Sequence, residues 1–410
     1  MQSLEALLDE SPIIGQRVFV RADLNVPLQH GTITDDSRIQ ASLPTLERLI
    51  QAGARIVLAS HLGRPKGKRD PSLSLEPIAT ALAEALSARC QTRVHFIHDC
   101  VGEAVSAAVD QLAAGEILLL ENLRFHAAET NNDPEFAQAL AALADVYVGD
   151  AFGTAHRAHA STEAMVRHVE RAAAGLLLQS ELDALQTTLE PDRPFVCFLG
   201  GAKVSDKLGV LEALIERADT IGVGGAMAYT FLAARGEATG RSLIEPERFD
   251  DARRMIARAE QRQCQLLLPI DHVVSPGLEE GPEAQTVTII PENYMGVDIG
   301  PQTADRYALA ASKAAAILWN GPMGVFEIDA FSHGTERLAR AVAASKGRTI
   351  VGGGDSLAAV NKVGVGAQID HLSTGGGASL EFVQGLPLPG VIVLDRAAHQ
   401  ADKQEKGSQT

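Results

Sequence analysis

Short apolar runs alternate with stretches of helical periodicity along most of the chain. The runs, each followed by glycine or polar residues, are Val18–Val20, Arg55–Ala59, Val94–Ile97, Ile117–Leu120, Val146–Val148, Pro194–Leu199, Thr220–Val223, Gln265–Ile270, Ala315–Trp319 and Thr349–Val351. Between them, apolar residues at helical spacing occupy Leu75–Ala88, Glu103–Leu112, Pro134–Leu143 and Lys207–Glu216. This alternation predicts βαβ units and parallel sheets.

The runs fall into two groups, before residue 150 and after residue 190, so we predict two domains. Between the groups, leucines recur at steps of three and four residues within Gly175–Leu189, which indicates a connecting helix. The predicted fold class is α/β, with two Rossmann-like three-layer domains, parallel sheets, a joining helix and a cleft between the domains. The predicted boundaries are 1–172 for the N-terminal domain, 173–190 for the helix, 191–390 for the C-terminal domain and 401–410 for a polar tail.

Composition narrows the functional classes. The chain has 410 residues, of which 46% are hydrophobic and 21% charged, and its formal net charge of -16 argues against general affinity for nucleic acid or anionic membranes. Its four cysteines form no C-x-x-C pair, so we interpret them as reduced thiols of a cytoplasmic protein. No apolar run approaches about 18 residues, which predicts no membrane span.

Cationic residues follow the apolar runs of the first half. They lie in the segments Arg21–Pro27, Ser60–Gly67, Glu121–Phe125 and Gly149–Ser161, while Arg38 precedes a helical stretch. Ligands of parallel sheets bind beyond the carboxyl ends of the strands, so these segments are expected to converge. The candidates for that pocket are Arg21, Arg38, Arg64, Arg124, Arg157, His61 and His159, with Asp23 and Asn25 as acceptors for a hydroxyl group.

Arginine forks suit phosphate and carboxylate groups, so the predicted ligand is a small phosphorylated hydroxy acid. The alternative is that each arginine forms an ordinary surface ion pair. Asp23 and Asp35 would then simply partner Arg21 and Arg38, and His61 would be structural.

The second half carries a candidate nucleotide site. Thr349–Val351 leads into three glycines, Asp355 and Ser356, a pattern that favours a phosphate cradle at a helix start, with Asp355 holding Mg²⁺. After Pro194–Leu199, Lys203 and Lys207 stand four residues apart, which predicts one face of a helix start neutralised by a triphosphate. The alternatives are a tight strand-to-helix turn and two solvated lysines.

Three other segments of the second half add candidates. Asn320 follows Ala315–Trp319 and could approach a phosphate or metal shell, and Glu327 is a plausible acceptor for ribose hydroxyls. The glycine-rich turn Ser373–Ser379 is typical of an anion nest. Met227 and the glycines of 222–225 could accommodate a flat adenine.

The common nucleotide fingerprints are absent from the sequence. There is no G-x-x-x-x-G-K-[ST], no H-R-D with D-F-G, and no G-x-G-x-x-G after the first strand. A P-loop NTPase, a protein kinase and a nicotinamide-dependent dehydrogenase are therefore disfavoured.

Several of these motifs occur together in one known family. The phosphoglycerate kinase family has the following motifs in the same order: R-A-D-L-N-V-P, S-H-L-G-R-P, E-N-L-R-F, G-T-A-H-R-A-H-A-S, G-G-A-K-V-S-D-K, D-I-G-P, W-N-G-P-M-G-V-F-E, G-G-G-D-S and S-T-G-G-G-A-S-L-E-F. From about Arg17 to Val391, the chain resembles that family.

The resemblance implies a monomer whose N-terminal half binds 3-phosphoglycerate and whose C-terminal half binds ADP or ATP with Mg²⁺. The implied phosphoglycerate contacts are Asp23, Asn25, Arg38, His61, Arg64, Arg124 and Arg157. The implied nucleotide contacts are Lys207, Asn320, Glu327, Gly353, Gly354, Asp355 and Ser356, with Asp355 on the metal. Arg38, Lys203, Lys207, Gly375 and Gly376 would act on the transferred phosphoryl group.

The resemblance also implies that residues 391–400 pack back on the N-terminal domain. The implied reaction is reversible phosphoryl transfer between 1,3-bisphosphoglycerate with ADP and 3-phosphoglycerate with ATP, as in glycolysis and gluconeogenesis. A non-catalytic phospho-ligand-binding protein on the same fold is the alternative, although it would be expected to have lost Arg38, Lys203 or Asp355. No nucleic acid or membrane partner is expected.

Overall fold

The computed structural model describes residues 1–279 and 283–397. The predicted polar tail, 401–410, lies outside the described residues. The chain divides into two compact units, which are Met1–Leu182 together with the segment that starts at Pro387, and Asp183–Leu386. Each unit contains one parallel sheet with helices, so the predicted α/β class with two parallel-sheet domains is confirmed.

The first unit is built on a parallel sheet and carries a short hairpin. Its strands are β1 (Arg17–Ala22), β2 (Leu28–Gln29), β3 (Thr32–Ile33), β4 (Arg55–Ala59), β5 (Val94–Ile97), β6 (Ile117–Leu120), β7 (Val146–Asp150) and β8 (Arg171–Ala174). The parallel sheet has the order β5-β6-β4-β1-β7-β8, and β2 pairs with β3. After β6 the chain passes to the other side of β1, so the carboxyl ends of β1 and β7 flank the point at which such sheets bind ligands.

The helices of the first unit bury apolar side chains on this sheet. They are α1 (Leu4–Glu10), α2 (Ser37–Gln51), α3 (Glu76–Ser87), α4 (Glu103–Gln111), α5 (Ala127–Thr130) and α6 (Pro134–Ala141). Helix α7 (Leu176–Gln186) contains the division between the units, which falls after Leu182. Local chemistry fixes the start of α6, since the Asp133 carboxylate accepts from the Phe136 N–H at 2.9 Å and Pro134 occupies the first turn. Helix α7 lies within the stretch for which the sequence predicts a connecting helix.

The second unit repeats the plan with a different strand order. Its strands are β9 (Phe195–Leu199), β10 (Thr220–Val223), β11 (Gln265–Leu267), β12 (His272–Ser275), β13 (Gln285–Val287), β14 (Met295–Ile299), β15 (Ala316–Asn320), β16 (Arg348–Gly352) and β17 (His371–Ser373). The parallel sheet, β11-β10-β9-β15-β16-β17, has the order of dinucleotide-binding folds, in which the crevice opens at β9 and β15. A separate antiparallel sheet has the order β13-β12-β14.

The α-helices of the second unit separate or follow its strands along the chain. They are α8 (Leu208–Ile215), α9 (Met227–Ala234), α10 (Phe249–Gln261), α11 (Pro301–Lys313), α12 (His333–Ala343), α13 (Gly354–Val363) and α14 (Gly377–Val383). The buried Asp271 carboxylate accepts from the N–H groups of Gln302 and Thr303 at 2.9 and 2.8 Å and so caps α11. Among the described residues, no helix combines the length and the apolar character that a membrane crossing requires.

A last helix, 389–397, belongs to the first unit. Val393 and Leu394 of this helix are buried, and the Gly390 N–H donates to the Ala155 carbonyl at 2.9 Å. The amino group of Met1 forms an ion pair with Asp395 at 2.7 Å. The described part of the predicted 391–400 segment therefore packs within the first unit.

Every apolar run named from the sequence overlaps a strand of a parallel sheet. The sequence reading missed β8 and β17, because R-A-A-A and H-L-S carry little apolar signal. It also missed the β2–β3 hairpin and the antiparallel β12–β14 sheet. The four cysteines are free, as expected.

Candidate functional site

The carboxyl ends of β1 and β4 bring three predicted side chains of the first unit together. Asp23 follows β1, and His61 follows β4 with its Nδ1 3.9 Å from an Asp23 carboxylate oxygen. Arg38, in the first turn of α2, hydrogen-bonds the other oxygen of Asp23. A side chain at Gly153 would overlap Asp23, because a Cβ there would lie 2.5 Å from the carboxylate. The segment after β7 therefore closes over this pair.

Positive neighbours keep Asp23 ionised. Burial alone would raise its pKa, but the charges of His61 when protonated, Arg38 and Arg21 outweigh that effect, and the pKa of Asp23 is lowered. Near pH 7 the two guanidinium groups supply that positive charge. The pKa of His61 lies well below its usual value because the ring is buried, and because Arg21, Arg124 and Arg38 repel its charged form. His61 is therefore neutral near pH 7 and offers hydrogen bonds rather than charge.

Two loops link Asn25 and Arg124 to the same place. The Asn25 side-chain oxygen accepts from the Gly63 N–H at 2.8 Å, and the Arg124 guanidinium donates to the Gly63 carbonyl at 2.8 Å. Gly63 has a φ of 61°, a left-handed conformation that favours glycine. Its neighbour Arg64 is exposed on this loop.

Arg21 does not face a pocket, which corrects the sequence expectation. Its guanidinium is fully buried, donates to the Ser161 hydroxyl at 2.8 Å, and lies 3.9 Å from the Glu129 carboxylate. Glu129 is also fully buried and accepts from the Ser161 hydroxyl and N–H at 2.6 and 3.0 Å. Arg21 and Glu129 therefore hold the end of the Gly149–Ser161 segment in place through their hydrogen bonds to Ser161.

Three other arginines, Arg64, Arg124 and Arg157, leave an excess of positive charge at this end of the sheet. Burial, followed by repulsion from Arg21 and Arg157, lowers the pKa of Arg124 to about 10. Within residues 1–279 and 283–397, Arg64, Arg124 and Arg157 have no carboxylate at ion-pair distance, and the buried Arg124 Nε has no hydrogen-bond partner. Arg124 is buried, and a buried guanidinium without a carboxylate partner indicates a binding site for an anion, because its burial is costly without one. The half-buried Arg157 and the exposed Arg64 add positive charge beside it.

His159 belongs to the same cluster. Burial, with Arg124, Arg21 and Arg157 nearby, lowers its pKa to about 3. Its buried Nδ1 lies 3.8 Å from the Glu129 carboxylate and forms no hydrogen bond within the described residues. It is neutral at pH 7 and adds no charge to the cluster.

In the second unit, Lys207 lies between the carboxyl ends of β9 and β15. Its ammonium group donates to the carbonyl and the side-chain oxygen of Asn320 at 2.7 and 2.6 Å. Gly321, with a φ of 98°, leaves room for it, since a Cβ there would lie 2.7 Å from Nζ. Burial lowers the pKa of Lys207 to about 8, and the carboxylates of Asp355 and Asp206 oppose that shift.

Lys203 does not share a helix face with Lys207, so that expectation is wrong. Helix α8 begins only at Leu208 with Lys207 as its N-cap, and Lys203 lies in the preceding non-helical segment with its side chain exposed. Hydrogen bonds to Glu245 hold that segment instead of helical ones, because the Ser205 hydroxyl and N–H both donate to the Glu245 carboxylate, at 2.5 and 3.1 Å.

The glycine run after β16 forms the N-terminus of α13. Gly353 is the N-cap with a φ of 92°, and Gly354 and Asp355 occupy the exposed first turn. The free N–H groups of such a turn, with the helix dipole, favour an anion. Ser356 is fully buried, and its hydroxyl accepts from the Gly321 N–H at 2.5 Å. Its side chain thus supports the loop instead of lining the exposed surface.

The second glycine turn has the same arrangement. Gly376, with a φ of 54°, is the N-cap of α14, and Gly375 precedes it. Beneath the turn, the hydroxyls of Ser373 and Ser379 hydrogen-bond each other at 2.7 Å, and the Gly375 N–H donates to Ser373 at 3.3 Å.

A cavity of about 230 Å³ is lined by Asp355, in the first of these two turns. Its other lining residues are Tyr229, Asp298, Glu327 and the segments 201–202, 225–226, 296–297 and 322–325. Glu327 is exposed at its edge. Asp298 is buried and accepts from the Ile299 and Gly334 N–H groups at 2.9 and 2.6 Å, while burial raises its pKa to about 8. A cavity with mostly glycine and apolar walls can accommodate a flat ring.

The sequence reading did not single out Asn122, Glu129 or Asp298. Asn122 is buried, and its side-chain oxygen accepts from the Leu62 and Arg124 N–H groups at 3.2 and 3.1 Å, which holds two site loops together. Asn122 and Asp298 lie in or beside quoted motifs, E-N-L-R-F and D-I-G-P, but only the structure shows that they act on the backbone. Glu129 follows E-N-L-R-F by four residues and gave no signal.

Comparisons with known proteins agree with one another. A family model described as Phosphoglycerate kinase matches residues 8–386. A Moorella thermoacetica protein named Phosphoglycerate kinase is 54% identical over 390 residues, which cover 94% of this chain and 98% of that protein. A Leptospira biflexa protein of the same name is 51% identical over 393 residues, covering 95% and 98%.

Solved structures give the same result. The structure of phosphoglycerate kinase from Coxiella burnetii has a TM-score of 0.85 at 42% identity and covers 95% of this chain and 98% of its own. That of the Pyrococcus horikoshii enzyme has a TM-score of 0.84 at 33% identity, covering 97% and 100%.

Proposed function

Since the chain belongs to the phosphoglycerate kinase family, we propose that it transfers a phosphoryl group reversibly between 1,3-bisphosphoglycerate with ADP and 3-phosphoglycerate with ATP. The observation that carries this proposal is the unneutralised arginine cluster around Arg124 in the first unit. It matches a small substrate with phosphate and carboxylate groups.

The first unit would bind the phosphoglycerate. Arg64, Arg124 and Arg157 would take the phosphate, because guanidinium groups can donate two parallel hydrogen bonds to it. The Asp23 carboxylate would accept from the substrate hydroxyl, and the neutral His61 ring would accept from it or donate to it, beside Asn25. Arg38 is held by Asp23 at the rim of this group, where the substrate carboxylate would lie.

The second unit would bind the nucleotide. Lys207 and the first turn of α13 would hold the phosphates, Asn320 would fix Lys207, and Glu327 would accept from the ribose at the edge of the cavity. Asp355 is an exposed carboxylate at this turn, and Mg²⁺ typically binds one or two carboxylates together with substrate phosphates. The residues therefore fit Mg²⁺, which when bound neutralises phosphate oxygens.

No general base is required for this reaction. The attacking atom is already an oxygen anion in both directions, a carboxylate or the ADP β-phosphate. The chain would contribute positioning and positive charge, from Arg38, Lys203, Lys207 and the N–H groups of the Gly375–Gly376 turn. The two bound ligands must meet, so we expect the 173–190 segment to permit a closing movement.

A coupled assay with 3-phosphoglycerate, ATP and Mg²⁺ tests the proposal. The parent should turn over, while Arg38→Ala should retain measurable binding of both ligands and lose roughly 10³–10⁵ in turnover, the range for a cation that stabilises phosphoryl transfer. Arg48→Ala is the matched control, because Arg48 lies on the same helix and pairs with Glu5. Parental turnover by Arg38→Ala would exclude its role in transfer.

The comparisons with known proteins give no support to the non-catalytic alternative. The same assay tests it, since a binder would retain affinity for both ligands without turnover. A cytoplasmic location, a monomeric state and the lack of nucleic acid or membrane partners stay predictions.

A further inference from the structure

Three potential metal ligands of the first unit lie together outside the proposed substrate contacts. They are Asp99 and Cys100, in the segment after β5, and His126, which follows the turn that carries Arg124. One ligand atom of each lies within 4.8 Å of the other two. His126 Nε2 is 2.9 Å from the Asp99 carboxylate, and the Asp99 carboxylate also accepts from the Cys100 N–H at 2.7 Å.

The surroundings already hold these side chains in place. The Cys100 thiol is fully buried and donates to the Glu121 carbonyl at 2.9 Å. The His126 ring stacks on Phe136 with 4.9 Å between ring centres. Asp99 and His126 remain partly accessible to solvent, so an ion can reach the group without unfolding the segment.

The ligand types select the kind of ion. A thiolate, an imidazole and a carboxylate together suit Zn²⁺ or a similar divalent transition metal, whereas Mg²⁺ prefers oxygen ligands. We propose that Asp99, Cys100 and His126 form a binding site for one Zn²⁺-like transition-metal ion.

Binding exchanges existing hydrogen bonds for metal bonds. The Cys100 thiol leaves the Glu121 carbonyl and releases its proton to solvent as the sulfur–metal bond forms. The neutral imidazole exchanges protons with solvent, losing the Nε2 proton that it donates to the Asp99 carboxylate and gaining one on Nδ1. Nε2 then binds the ion, and a water takes the fourth tetrahedral position. Ligand atoms about 2.0–2.3 Å from one ion lie roughly 3.3–3.8 Å apart, so side-chain rotations suffice to close the group.

The consequence would be a link between two segments that flank the substrate contacts. The ion would join the segment after β5 to residue 126, two residues beyond Arg124. It would be separate from the Mg²⁺ carried by the nucleotide, which the proposed function places at Asp355 in the other unit.

Cobalt is a suitable probe, because Co²⁺ bound by a thiolate absorbs in the near ultraviolet. The full-length protein, freed of metal with a chelator, should bind one Co²⁺ per chain with a sulfur-to-cobalt band that Zn²⁺ removes. Cys100→Ser should abolish the band, and Asp99→Asn and His126→Gln should weaken Co²⁺ binding at least about tenfold. Cys90→Ser is the matched control, because Cys90 is a partly buried cysteine of the same unit and should leave the band unchanged.

Two outcomes would overturn the proposal. One is that no sulfur-to-cobalt band forms in the parent protein while its melting transition shows that it is folded. The other is a band that survives in Cys100→Ser, or that Asp99→Asn and His126→Gln leave at parental strength while both variants unfold at the parental temperature.

Discussion

Gly353 and Gly354 offer a sharp test of the loop at the start of α13, because the two adjacent glycines have opposite structural requirements. Gly353 has a φ of 92°, and a Cβ there would lie 3.1 Å from the Asn320 side-chain nitrogen. Gly354 is helical, and a Cβ there would meet no atom within 4 Å. The same substitution, glycine to alanine, should therefore have opposite effects on stability.

The expected magnitudes follow from the backbone. An alanine at Gly353 must adopt a conformation that costs an L-residue about 1–3 kcal/mol, before Asn320 is displaced. Alanine at Gly354 should gain about 0.5–1 kcal/mol, the usual advantage over glycine within a helix. For a unit of roughly 200 residues, 1 kcal/mol corresponds to about 2–4 °C in Tm, so Gly353→Ala should melt several degrees lower and Gly354→Ala slightly higher.

Calorimetry of the metal-free and nucleotide-free protein measures these shifts, and ADP titration measures the consequence for binding. If nucleotide phosphates lie against this turn, Gly354→Ala should weaken ADP binding although it stabilises the fold. A Gly353→Ala variant that melts with the parent would refute the conformational reasoning. ADP affinity unchanged in Gly354→Ala would refute the placement of the phosphates.

Three further outcomes are expected. Because burial lowers the pKa of Lys207 to about 8, its positive charge is present at pH 7 and is lost as the pH rises through that value. ADP affinity should therefore fall above about pH 8 in the parent, and should be weak and independent of pH in Lys207→Met. If the fall in affinity persists in Lys207→Met, another group causes it. Asp355→Asn should weaken ADP binding measured by calorimetry with Mg²⁺ but leave metal-free ADP binding nearly unchanged, and equal loss in both conditions would contradict a metal role. Arg124→Met should weaken 3-phosphoglycerate binding about tenfold to a hundredfold, the contribution of one charge-assisted hydrogen bond. The control Arg17→Met, which breaks a partly exposed ion pair with Asp145, should bind 3-phosphoglycerate like the parent. Equal affinities of Arg124→Met and the parent would remove Arg124 from the site.

The parallel sheets could be predicted because their strands are buried on both faces. Runs such as Ile117–Leu120 have no alternating polar residues and are bounded by glycine or charged residues. Their positions can therefore be predicted from the sequence without knowing which strand pairs with them. Strand β17, His371–Ser373, is at a sheet edge and contains one apolar residue, so its pairing with β16 depends on tertiary structure that no local pattern encodes.

The candidate site also has a part that could be predicted from the sequence and a part that could not. Cations at strand ends could be named from the sequence, because the rule that places ligands beyond the carboxyl ends of parallel strands applies to any such sheet. Their partners could not, since Arg21 pairs with Glu129, more than one hundred residues away, and Arg38 with Asp23. Lys203 was misjudged because charge spacing cannot show where a helix begins, and α8 starts after both lysines. The predicted domain boundaries and the roles of the site residues stay predictions.

The discontinuity of the first unit has a consequence for the synthesis of the protein. Helix 389–397, whose Val393 and Leu394 are buried in that unit, leaves the ribosome roughly 200 residues after Leu182. At about 5–20 residues per second, the nascent first unit waits roughly 10–40 s for its last helix, which is longer than small domains need to fold. During that interval the surface that Val393 and Leu394 will cover is exposed to chaperones and to neighbouring nascent chains.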